Sequence, residues 1–322
     1  MIQETMAELE KLKPIPDDTF DLIVIGAGPA GMSASICASR ADLKVLLIEK
    51  ALPGGECSTA CKIDNYIGFP KGILGEELGR HMEAQLFSHP IAYSCDNVSN
   101  IIDIKEPLKK VQTDLGQQYK TRAIILALGL EPKVLGANFE SQFLGRGVSY
   151  YAQCDVEHYR DQNVMVIGGG NCACYAADYL SKFVKKVYLV HQSDHIRAVK
   201  TLERSILENP KIDPIWNSQI QEVFGIDTVE KAKIMNVTNQ QHTWLDVKGI
   251  FIYVGRIPPK EFVNPEINTD ENGYIISDEY MRTNIPGVYA AGDIRSKQIR
   301  QIATAVSDGM TAAINVERDL FR

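Results

Sequence analysis

Continuous apolar runs, several of them followed by a glycine turn, recur along this chain. "DLIVI" (21–25) leads into Gly26, a small-residue stretch follows, and "VLLIE" (45–49) closes the first set. Apolar β-rich runs of this length, without polar alternation, predict strands covered on both faces. Residues 21–50 thus predict strand, tight turn, helix, strand, and the same order returns in "NVMVIGGGNCACYAADYLSKFVKKVYLVHQSD" (163–194). Between the two sets lies "AIILALGLEPKVLGA", a β-rich run with a turn at Gly129, and after the second comes "GIFIYVGRIPP". The tail "GVYAAGDIRSKQIRQIATAVSDGMTAAINVER" predicts a strand, a turn at Gly292–Asp293 and a long helix of small residues. Strands alternating with helices predict an α/β fold with parallel sheets. The Gly/Pro-rich turns look like crossing points, so a second domain is inserted within the first. The expected division is an N-terminal extension at 1–20, a first domain at 21–130 and 256–322, and an inserted domain at 131–255.

Length and composition fit this division. A chain of 322 residues suits two domains, each with its own core. With 45% hydrophobic and 23% charged residues it reads as soluble and globular. No apolar run approaches the ~18 residues of a membrane helix. The first twenty residues mix acids and lysines and do not read as an export signal, so the cytoplasm is the expected location. A net charge of −7 argues against nucleic acid as a partner. Seven cysteines in such a chain argue against a structural disulfide framework. No metal site is expected either, since Cys172 and Cys174 stand two apart with no Cys-x-x-Cys beside them.

The glycine spacing carries chemistry. Gly26-x-Gly28-x-x-Gly31 follows a strand and opens a helix, and Glu49 ends the next strand. The first two glycines permit the turn and close approach of backbone to a pyrophosphate, and the third permits helix–strand packing. Glu49 is placed to hold a ribose hydroxyl. The second unit repeats the signature as Gly168-x-Gly170-x-x-Ala173, but its second strand ends in His191, Gln192 and Ser193. An acid there would select NAD and arginines would select NADP; only Arg197 is nearby to meet a phosphate.

The order of these elements resembles the low-molecular-weight thioredoxin reductases over nearly the whole chain after residue 20. "GAGPAG", the pair Gly54–Gly55, "DNYIGFPKGILGEEL", "GRGVSY", "VIGGGN", "VYAAGD" and "RQIATAVSDG" carry the likeness. The resemblance implies two Rossmann-like three-layer (ββα) nucleotide-binding domains, tightly bound FAD and a homodimer. It further implies Glu49 at the adenosine ribose, Asp293 at the ribityl chain, Arg300 and Gln301 at the isoalloxazine edge, and Asn65 in the flavin-side loop. Two departures stand out. The family's C-A-T-C-D reads "YAQCD" here, with Tyr151 for the first cysteine, so Cys154 reads as a relic of the lost pair, the alternative being a third exchanging thiol. The family's H-R-R-x-x-x-R reads "HQSDHIR", which removes two charge-assisted bonds worth roughly 1.5–3 kcal/mol each from NADPH.

Cys57 and Cys61 follow the paired glycines in "PGGECSTACKIDNY". In the related glutathione reductase branch this region bears a cysteine pair against the flavin. If the segment is helical, positions i and i+4 share a face and a disulfide needs only local adjustment. The redox centre is therefore expected at Cys57–Cys61, the alternative being two buried cysteines that act as small hydrophobes. The chain also looks like the diflavin-linked disulfide oxidoreductases, in which a second FAD replaces the pyridine nucleotide. In that reading Tyr150 and Tyr151 either stack on the second ring system or fill a strand core. Electrons would enter from a carrier such as ferredoxin and leave to a protein or small-molecule disulfide. The alternatives are an NAD(P)H- or ferredoxin-linked electron-transfer flavoprotein with no redox disulfide, and a flavin-binding sensor.

Overall fold

The structure, a computed structural model, describes residues 19–259 and 264–321. The expected N-terminal extension lies outside the described residues except for its last two, which open the first strand. The chain forms two compact units. Of the described residues, one holds 19–58, Asp64–Glu131 and those from Ile257 onward; the other holds Thr59–Ile63 and Pro132–Arg256.

In the first unit β1 (Thr19–Ile25) leads through the glycine turn into α1 (Pro29–Arg40) and β2 (Val45–Glu49). Then come α2 (Gly75–Phe87), β3 (Ala92–Cys95), β4 (Val98–Ile102), β5 (Lys109–Thr113) and β6 (Gln118–Leu126). The strand order is β3-β2-β1-β6-β5-β4, and Val288–Ala290 pairs parallel to the end of β6. The first four are parallel, while β5 and β4 continue antiparallel. Successive residues of β1 point to opposite faces, which explains its unbroken apolar run. Leu22 and Val24 pack with the helix residues Ala30, Met32, Ala34 and Ala38, while Ile23 and Ile25 pack with Ile101 and Val111 of the antiparallel ribbon. Each such side chain, fully buried, contributes about 1.5–3 kcal/mol. Helices, parallel sheet and antiparallel ribbon make the three layers.

The second unit repeats the plan. Its parallel sheet comprises β7 (Val148–Ser149), β8 (Asn163–Ile167), β9 (Lys186–Val190), β10 (Ile212–Ile215) and, after an antiparallel ribbon, β14 (Gly249–Ile252). The order across the sheet is β10-β9-β8-β14-β7. The ribbon is β11 (Ser218–Phe224), β12 (Lys231–Asn236) and β13 (His242–Asp246). Helices α3 (Asn171–Ser181) and α4 (Lys200–Glu208) lie on the face of Val164 and Val166; Met165 and Ile167 face Ala232 and Ile234 of the ribbon. Among the described residues no helix is long and apolar enough to cross a membrane.

Candidate functional site

β1 stops at Ile25 and α1 starts at Pro29, a residue suited to the first helical turn because its missing N–H has no partner there. Gly26 turns the chain with φ +102°, and a Cβ on it would sit 2.4 Å from the Ala127 carbonyl oxygen. A Cβ on Gly31 would sit 1.8 Å from the Gly26 carbonyl oxygen, so only glycine lets α1 approach the turn this closely. Gly28 differs: its backbone is extended, and a Cβ there would meet nothing within 4 Å. No side chain caps α1. Its first amides and positive end therefore face open space, the arrangement a pyrophosphate accepts.

The other members of the set gather around this turn. Glu49 accepts the Ala27 N–H at 2.6 Å and the Ala51 N–H at 2.9 Å, which fixes its carboxylate beside the cradle. The Gly54 N–H donates to the Ala27 carbonyl at 2.8 Å, and a Cβ on Gly55 would lie 3.0 Å from the Gly28 Cα, so the paired glycines pack directly on the turn. Gly129, with φ +61°, has nothing near its missing side chain. A Cβ on Gly292 would lie 2.8 Å from the Ala30 Cβ, and one on Gly309 would lie 2.1 Å from the Ala30 carbonyl oxygen. The C-terminal helix Ile302–Leu320 is held close to α1 by these small residues.

Asp293 follows Gly292. Its Oδ1 is buried without a hydrogen-bond partner, Lys297 Nζ lies 3.6 Å away, and burial raises its pKa against the opposing charges of Lys297 and Arg300. Asn65 and Gln301 meet through a 2.9 Å side-chain bond. Arg300 donates to the carbonyls of Asp293 and Arg295, both at 3.1 Å, and lies 3.8 Å from the Tyr274 ring centroid. An amide cradle and a buried carboxylate oxygen that has an ion pair to Lys297 but no hydrogen bond fit a bound dinucleotide with hydroxyls to donate. Sequence reasoning missed Asp308, which accepts from Gly292 N at 3.1 Å, Arg295 at 3.0 Å and Lys297 at 2.9 Å and so braces the Gly292–Asp293 turn. The one signal was an acid set among the small residues in the first half of that helix.

The thiols lie just beyond the paired glycines. A single helical turn, Gly55–Ser58, carries Cys57 and ends three residues before Cys61. Ser58 packs where a Cβ on either Gly54 or Gly79 would stand, 1.8 and 2.0 Å from its Oγ. The helix therefore does not continue to Cys61, and the facing of positions i and i+4 does not arise from it. Cys57 and Cys61 are separate thiols, 6% and 9% exposed. Burial pushes both up to about 12, with the charge of Glu56 adding to the effect at Cys57 and the cation of Lys182 opposing it at Cys61. Cys57 belongs to the first unit, while Cys61 lies in the core of the second with Ala152, Ala173 and Cys174.

The second unit has its own cradle. A Cβ on Gly168 (φ +138°) would sit 2.3 Å from the Tyr253 carbonyl oxygen, and one on Gly169 would sit 2.4 Å from the His191 ring. Gly170, extended at the start of α3, has open space instead, and Ala173 is fully buried. These residues border a cavity of about 770 Å³. His191, Gln192, Arg197 and Tyr150 also line it, and the fold adds Lys133 and Arg256, which sequence spacing could not connect to the turn. His191 Nε2 is buried without a partner, and burial, then Arg197 and His195, lower the ring's pKa. Tyr150 donates to Glu140 at 2.6 Å, and that buried carboxylate also accepts the Leu135 and Ala137 amides. Tyr151 lies outside this lining; its N–H donates to Ser149 Oγ at 2.9 Å.

Two glycine cradles in one chain fit a class of enzymes that bind two nucleotides, and comparison with known proteins names the family. The family model "pyridine nucleotide-disulphide oxidoreductase" matches residues 20–309, and the chain belongs to that family. It is 42% identical to the thioredoxin reductase of Listeria monocytogenes over 301 residues, 93% of each chain. The solved thioredoxin reductase of Lactococcus lactis superposes with a TM-score of 0.89 at 38% identity, covering 94% of this chain and 99% of that one. A ferredoxin–flavin thioredoxin reductase from Clostridium acetobutylicum is similar at a TM-score of 0.50 and 29% identity, covering 94% and 98%. The chain is thus a thioredoxin reductase-like, FAD-dependent oxidoreductase acting on a disulfide.

Proposed function

We propose that this enzyme passes electrons from FAD in the first unit to a Cys57–Cys61 disulfide and on to a disulfide substrate, with a second FAD in place of NADPH in the second unit. The observation that supports this is the packing of Gly55 on Gly28 in the dinucleotide turn, with Cys57 two residues further along the same helical turn. When bound, FAD supplies the two-electron step that opens a disulfide. The chain's own residues do the rest. The α1 amides would hold the diphosphate, Glu49 fixes the Ala27 turn and would meet the ribose, and Asp293 would offer to the ribityl chain an oxygen that has no hydrogen bond. Asn65, Gln301 and Arg300 border the ring. Opening the disulfide releases one sulfur as a thiolate, which exchanges with the substrate, and the second cysteine resolves the mixed disulfide.

The second nucleotide is supported by a cradle that keeps its glycines while Gln192 stands where an NADPH-binding arginine would. Lys133, Arg197 and Arg256 line the cavity and can meet a diphosphate, Tyr150 can meet a flat ring, and the unpartnered His191 nitrogen can meet a hydroxyl. The substrate is a protein or small-molecule disulfide, and the donor a one-electron carrier of the ferredoxin kind; the likeness to a ferredoxin–flavin enzyme supports that choice. We expect the enzyme to act as a cytoplasmic homodimer. Cys57→Ser and Cys61→Ser, made singly, will retain flavin and lose turnover of a small aromatic disulfide. Full turnover in both variants would sink the proposal and leave a carrier reductase without a redox disulfide.

A further inference from the structure

The proposed pair has an exit problem. At 6% and 9% exposure, Cys57 and Cys61 offer a bulky disulfide almost no surface to attack. Two other thiols in the second unit are more open: Cys154 and Cys172 are both exposed, Cys172 on the lining of the second cavity, so with that cavity filled Cys154 is the one a bulky disulfide can reach. Cys154 lies in the turn Ala152–Asp155, which packs on α3, and Cys172 lies in the first turn of α3. Cys61 is buried in the same core cluster as Ala152 and Ala173, neighbours of those two cysteines. The turn is fixed there by Tyr253, whose hydroxyl accepts the Ala152 N–H at 3.0 Å. The charges of Cys172 and Cys154 both act on the Cys61 thiol, which agrees with this grouping.

We infer that Cys154 and Cys172 form a second, exposed redox pair that takes electrons from Cys61 and delivers them to the substrate disulfide. The inference rests on the Cys57–Cys61 reading. Flavin, when bound and reduced, would supply the two electrons that open that bond, leaving the Cys61 sulfur as a thiolate that the charge of Lys182 favours. This thiolate attacks the Cys172 sulfur of a Cys154–Cys172 disulfide, forming Cys61–Cys172 and expelling Cys154 as thiolate. Cys57 then attacks the Cys61 sulfur, restoring Cys57–Cys61 and freeing Cys172; two electrons have moved outward and two protons come from water. Finally Cys154 attacks the substrate disulfide and Cys172 resolves the mixed disulfide, releasing the substrate as a dithiol. Because Cys61 leaves the first bond already ionised, its raised pKa does not block the transfer.

Differential alkylation of the flavin-loaded protein with mass spectrometry tests this directly. Air-oxidised protein should carry both Cys57–Cys61 and Cys154–Cys172 as disulfides. Photoreduction of the bound flavin should open both in the unaltered chain, but should leave Cys154–Cys172 closed in Cys61→Ser. If Cys154 and Cys172 alkylate as thiols in the oxidised protein while Cys57–Cys61 is closed, the relay is overturned and the parent reading stands. If all four alkylate, both fail. Opening of Cys154–Cys172 in Cys61→Ser at the rate of the unaltered chain also overturns it.

Discussion

The two nucleotide cradles share a plan and differ at two positions. In the first, the third glycine is Gly31, and a methyl there would run into the Gly26 carbonyl at 1.8 Å; in the second, Ala173 holds that place with its Cβ 3.0 Å from where a Gly168 Cβ would be. The first strand pair ends in Glu49, which closes onto the backbone of its own turn, whereas the second ends in His191, whose Nε2 is left buried and unpartnered. One cradle is fixed by its own hydrogen bonds, and the other keeps a polar atom for something else. A duplicated fold can thus hold one cofactor by a rigid, locally specified turn and vary the second through the residues that line the cavity.

The largest effect expected from this contrast is on Gly31→Ala, which forces α1 off the turn and should cost about 3 kcal/mol and the first flavin. Ala173→Gly should cost only about 1 kcal/mol, the ordinary helix penalty. Urea denaturation compares the two directly; equal losses would break the contrast. Next come Gly28→Ala and Gly170→Ala. Both backbones are extended, and both new methyls meet nothing within 4 Å. Stability should therefore shift by no more than about 0.5 kcal/mol, while each variant loses the nucleotide of its own unit because the methyl occupies the phosphate approach. Absorbance and nucleotide release after gel filtration read this out.

A smaller effect is expected at His191→Ala, which should weaken the second nucleotide about tenfold, some 1.4 kcal/mol, and leave the first unchanged. Equilibrium dialysis of stripped protein against FAD reads it. The smallest concerns the thiols. A raised pKa keeps Cys57 and Cys61 protonated at neutral pH, so in the reduced protein their alkylation should speed about tenfold per pH unit until near 12. Timed alkylation followed by peptide mass spectrometry checks this, and a plateau near pH 9 would contradict it.

The fold class was legible because strands buried on both faces leave unbroken apolar runs and the turns need glycine at fixed spacing. The place of Glu49 at the end of β2, against the turn, was legible for the same reason, because it belongs to one local βαβ unit. What escaped the sequence depends on distant packing. Nothing local foretells that Ser58 would pack against Gly79, that the helical turn bearing Cys57 would end before Cys61, or that Cys61 would enter the core around Ala173. Lys133 and Arg256 reach the second cavity from positions far from its glycines, and Asp308 braces Gly292 from another element.

Counting the nucleotides released by heat from purified protein tests the contrast between the cradles most directly. Two FAD molecules per chain is the predicted result. One FAD per chain, with the second cavity binding NADPH or nothing, would contradict it.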